Sequence, residues 1–150
     1  MRGNDIHHFQ EVRGHSLAAC PPLVSRLERL QSAATYVQLG NIIHEFLPLH
    51  VLLAKAGQDQ GAAGMGGQLE QHARGWFVDF VTRAMSELNE GGNVLGLQVK
   101  LDLVARLKDV QKWAETGRKW WKAQGAEGQY NPKEIDIFLE RIHNFIVGLK

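Results

Sequence analysis

Seven histidines are the side chains of this sequence best suited to chemistry, and one of them has metal-site spacing. Glu140 and His143 stand three residues apart, which on a helix turns a carboxylate and an imidazole toward a common centre, as in di-iron carboxylate sites. Such a site needs a second Glu-x-x-His pair on another helix. No other glutamate in the chain has a histidine three residues on. His143 therefore reads as an edge residue of a helix, bonded to a carbonyl or to water, and no metal is expected. His7, His8 and His15 lie in the polar N-terminal stretch and form no set. Cys20 is the only cysteine, so no disulfide can close within the chain and no thiolate zinc site can form.

His44 and His50 fall in the most apolar run, Ile42–Ala54, six residues apart. Six residues on a helix is a rotation of about 240°, so the two imidazoles point to different sides. Glu45 follows His44 and points about 100° away from it. A catalytic histidine–carboxylate pair would have to be assembled with residues from elsewhere, His44 and His50 converging on a pocket. The plainer reading bonds these polar groups to the backbone that Pro48 frees. The glycines at 57, 61, 64, 66 and 67 follow a helix, not a strand, and no lysine-serine or lysine-threonine comes after them. They do not make a phosphate-binding loop. With no serine-nucleophile elbow either, no enzyme and no cofactor are expected.

The most distinctive feature is charge. Between Lys100 and Lys122 stand seven basic residues (100, 106, 108, 112, 118, 119, 122) and three acidic ones (102, 109, 115), a net of +4 in a chain of net +1. All the basic residues except Arg106 share an arc of about 120° on a helical wheel. Near its end come Trp120 and Trp121, neighbours that diverge by about 100°, so that one of them lies near the rim. Lys100, Lys108, Lys112, Arg118, Lys119, Trp120 and Lys122 are the candidate partner-binding residues. A cationic stripe beside tryptophan suits an acidic protein surface, a nucleic-acid backbone or anionic lipid, and tryptophan is a common interface anchor. The sequence pI of about 8.0 falls short of the strongly basic footprint typical of nucleic-acid binders. A protein partner is therefore the leading expectation and nucleic acid the alternative.

These residues are positioned by helices. Pro21 and Pro22 open the first, because a missing N–H costs nothing in a first turn. Its stripe is Leu23, Leu27, Leu30, Ala34 and Val37, with Leu39-Gly40-Asn41 ending or weakening it. Residues 42–56 read as a second helix, apolar nearly all round and so buried on most sides, with a kink at Pro48. Residues 57–67 should be a mobile glycine loop, since holding so many glycines in a helix is entropically costly. A third helix at 68–89 carries Leu69, Ala73, Trp76, Phe77, Phe80, Val81, Ala84 and Leu88 inward, with Glu70, Arg74 and Glu87 outside. Gly91-Gly92-Asn93 is a turn.

The fourth helix, Val94 to about Gln124, has Val99, Leu103, Leu107, Val110, Trp113, Ala114, Gly117, Trp120 and Trp121 on its inner arc. In the fifth, Asn131 caps, Pro132 takes the first helical position and Glu134 reaches back. Its stripe is Ile135, Phe138, Leu139, Ile142, Phe145, Ile146 and Leu149. No strand alternation occurs.

The expected fold is all-α, an antiparallel bundle of four to five helices over 16–150, with a flexible arm at 1–15. Ile42–Ala54 is too short and too polar to cross a bilayer, which takes about 20 apolar residues. A soluble, cytoplasmic interaction protein is expected, and it would form a homodimer if residues 42–54 stay uncovered.

Overall fold

The computed structural model describes residues 21–59, 65–90, 95–123 and 132–149, with side chains over 21–56, 68–90, 95–119 and 134–149. The N-terminal arm at 1–15, Cys20, the Gly91-Gly92-Asn93 turn and the Asn131 cap lie outside the described residues. The chain is an all-α helical bundle, with five α-helices and no strand among the described residues: α1 (Pro21–Ala33), α2 (Leu39–Asp59), α3 (Met65–Glu90), α4 (Leu97–Ala123) and α5 (Pro132–Leu149). A single 3₁₀ turn, Tyr36–Gln38, precedes α2.

The helix starts follow local rules. α1 opens at Pro21 and α5 at Pro132, the latter with acidic Glu134 in its first turn, where it complements the helix dipole. Two boundaries differ from the sequence reading. α1 ends at Ala33, before Leu39-Gly40-Asn41, and Leu39 begins the next helix instead. Thr35 is extended (φ −131°, ψ 151°), which breaks the period, and Val37 is left 82% exposed. The glycine loop is also shorter than 57–67, because α2 runs to Asp59 and α3 starts at Met65. Tertiary packing of long amphipathic helices overrides the weak propensity of single glycines at their ends.

Packing gathers the helices into two compact units. In the first, α1 joins Pro48–Trp76, and its core is Val24, Leu27, Leu30, Leu49, Leu53, Leu69 and Ala73. The second takes Ala34–Leu47 and the chain from Phe77 onward. Its centre is aromatic. Phe46 stacks on Phe77 with centroids 4.0 Å apart and planes 8° from parallel. Trp113 meets Phe77 edge-on at 5.2 Å and Phe46 at 6.1 Å. Around them α4 buries Leu103, Leu107, Val110 and Ala114, and α5 packs on α4 and buries Ile135, Phe138, Ile142 and Ile146.

α2 is not buried on most sides. Leu39, Ile42, Ile43, Phe46, Leu49, His50 and Leu53 are covered, while His44, Glu45 and Pro48 are exposed, Val51 is 63% exposed and Leu52 41%. The covered residues occupy an arc of about 120°. The stretch Tyr36–Ala56 is long and apolar enough to cross a membrane by length and composition, with 39% of its most apolar window buried. It exceeds the expected apolar run because the helix starts earlier. Much of its hydropathy comes from the covered face. Val99 also departs from expectation: it is 53% exposed with Leu97 and Leu101, and α4 buries its apolar stripe only from Leu103 on.

Phe77 is fully buried between two rings, so Phe77→Ala should cost about 3–5 kcal/mol, read as a fall in the urea midpoint. Val37→Ala, at the exposed 3₁₀ turn, should stay within about 0.5 kcal/mol of the parent. Equal effects would contradict this placement of the core.

Candidate functional site: a buried ion pair and the exposed face of α4

Among the described residues Glu70 is the most deeply buried charged one, 2% exposed, on the first unit's part of α3. His50 of α2, 6% exposed, meets it with Nε2 at 2.7 Å from Oε2. An ionised carboxylate only accepts hydrogen bonds, so Nε2 is the donor. Arg74, one turn on, donates Nε to Oε2 at 3.0 Å and Nη2 to Oε1 at 3.1 Å. The fork places both carboxylate oxygens against the guanidinium, the strongest of the common ion-pair geometries.

Glu70 and Arg74, expected on the outer side of the third helix, are therefore inside. The wheel itself carries the reason: at about 100° per residue Glu70 falls between Phe77 and Val81, both fully buried. His50 was readable in the same way, between Leu39 and Ile43 on the covered arc of α2. The carboxylate it meets was not, because it lies 20 residues away on another helix.

His44 is exposed on a different side of α2 from His50. The pair diverges as the spacing predicts, and among the described residues His50 alone of the two reaches a carboxylate. Glu140 and His143 are both exposed on α5. Among the described residues no three histidine, cysteine or acidic side chains gather as metal ligands would.

The exposed face of α4 lies in the second unit. Lys108, Lys112 and Lys119 are exposed, and among the described residues none of them enters an ion pair. Arg118 is engaged, its Nη1 donating to Oδ1 of Asp136 on α5. Lys100 is half-buried and lines a cleft together with Arg141. Five of the seven candidate residues thus have described side chains; among the described residues Arg118 alone of the five is in an ion pair, and Lys108, Lys112 and Lys119 are the exposed, unpaired ones. The side chains of Trp120 and Lys122 lie outside the described residues. The sequence reading missed the apolar end of this face, where Leu97 is 74% exposed and Leu101 55%. By wheel angle Leu97, Leu101, Lys108, Lys112 and Lys119 share an arc of about 60°, which Glu115 also enters.

Compared with known protein families, curated proteins and solved structures, the chain matches none of them.

Burial alone would raise the Glu70 carboxyl, but hydrogen bonds from His50 and Arg74, with the charge of both groups, outweigh it and hold it below its ordinary value of 4.5. A folded-state value below the unfolded one gives stability that is present above about pH 4.5 and is lost as pH falls through the folded value. Glu70→Gln should cost about 2–4 kcal/mol at neutral pH by leaving buried donors poorly matched. It should also flatten the acid side of the stability profile. Parallel losses in parent and variant between neutral and acid pH, by urea titration, would refute this role for Glu70.

Proposed function

We propose that the chain is a non-enzymatic helical interaction protein that docks another protein through the exposed face of α4. One observation carries this reading: the same narrow arc has two exposed leucines at one end and, along the rest, three lysines unpaired among the described residues, with one acidic residue, Glu115. Leu97 to Lys119 spans about 33 Å of helix, the length of contact that an amphipathic partner helix makes. The apolar end supplies burial and the lysines steer and orient an acidic surface. A phosphate backbone uses the cations alone and has no need of the leucines. Protein is accordingly the preferred partner over nucleic acid.

Two surface variants separate these readings. Lys108→Glu/Lys112→Glu/Lys119→Glu reverses the charge, and Leu97→Ser/Leu101→Ser removes the anchors. Both sets are exposed, so each substitution should shift stability by only about 0.5 kcal/mol. A protein partner captured by the parent should bind each variant at least about tenfold more weakly. Capture that survives both variants would sink the proposal. DNA or RNA binding by anisotropy at about 50 mM salt, lost on charge reversal but kept by the serine variant, would replace the protein partner with nucleic acid.

A further inference from the structure

Within the second unit, a cleft of about 660 Å³ opens where α3 ends, α4 begins and the last turns of α5 pass. That volume is in the range of small-molecule sites, about 300–1,000 Å³. Its charged lining is one-sided. Lys100 of α4 and Arg141 of α5 face it, and none of its described lining residues is acidic. Among the described residues neither cation enters an ion pair. The amides of Asn89 and Asn144 and the hydroxyl of Ser86 add neutral donors. The apolar residues Met85, Leu88, Phe145 and Leu149 also line it, so that the cleft surface is about half polar and half apolar.

We propose that this cleft binds a small amphiphilic oxyanion, an apolar chain or ring ending in a carboxylate or phosphate. Lys100 and Arg141 hold the anionic end, aided by the amides, and the apolar wall takes the body. With two cations and no acidic side chain among the described lining residues, the cleft favours an anion, which would gain charge-assisted hydrogen bonds from them. The apolar wall distinguishes such a ligand from a free inorganic anion, which would leave it wet. This site is separate from the lysine face of α4, since Lys108, Lys112 and Lys119 do not line it.

The test uses the full chain with dodecanoate, dodecyl phosphate and, as the uncharged control, dodecanol. Calorimetry gives affinities and amide chemical shifts map the site. Dodecanoate or dodecyl phosphate should bind at least about tenfold more tightly than dodecanol. Shifts should concentrate in 82–89, 95–100 and 141–149. Whichever anion binds more tightly identifies the head group.

Lys100→Gln/Arg141→Gln should lower anion affinity by about tenfold or more and leave dodecanol unchanged. Gly148 lines the cleft and an added Cβ there would meet nothing within 4 Å. Gly148→Met should therefore fill the cleft and weaken all three ligands, with circular dichroism and the urea midpoint showing a retained fold. Equal affinity for anion and alcohol, insensitivity to the charge variant, shifts mapping elsewhere, or no anion binding up to about 1 mM would each overturn the proposal.

Discussion

A carboxylate that is 2% exposed must be fully partnered, and that requirement governs how the first unit is built. Glu70 cannot turn out to water without carrying Leu69 and Ala73 away from the core beside it. Its partners are therefore brought to it. Arg74 comes from the next turn of the same helix, and His50 from α2. A hydrogen bond of 2.7 Å allows little slippage between the two helices. A rotation of α3 by one residue swings the carboxylate by about 100° and breaks the contact. Apolar side chains alone tolerate such shifts better, because their contacts have no direction. A buried pair of this kind adds direction that apolar contacts lack, while desolvation offsets part of its attraction.

The second unit uses packing where the first uses charge. The stacked Phe46 and Phe77 rings, with Trp113 edge-on to both, supply direction of another kind. Aromatic pairs contribute about 0.5–1.5 kcal/mol beyond the area they bury. Trp113 belongs to the same helix as the free lysines, and its place in the ring cluster sets the rotation of α4. With Leu103, Leu107, Val110 and Ala114 covered, the opposite arc has to face outward. The orientation of Lys108, Lys112 and Lys119 therefore follows from the aromatic centre.

α4 also shows how tertiary placement sorts residues of one type. Five described cations, Lys100, Lys108, Lys112, Arg118 and Lys119, share a stripe by spacing, yet they meet three environments. Arg118 is bound to Asp136, Lys100 shares a cleft wall with Arg141, and the three lysines between and beyond them remain in solvent. An exposed pair such as Arg118–Asp136 contributes little stability. It does, however, take one cation out of the unpaired set on α4.

By itself, the sequence determined the all-α class, the proline-led starts of α1 and α5, the apolar stripes of α3 and α5, and the cationic arc of α4. Each of these depends on a helical period or a local cap, which a few neighbouring residues suffice to define. Some of what it left open was misread rather than absent, as with Glu70, whose angle already lay between Phe77 and Val81. The rest required contacts between helices. The meeting of His50 with Glu70, the loss of Arg118 to Asp136 and the sharing of a cleft by Lys100 and Arg141 join residues 18 to 41 positions apart, a separation at which helical periodicity carries no information. Of the seven histidines, spacing directed attention to Glu140 and His143, which the structure leaves in solvent, while packing selected His50.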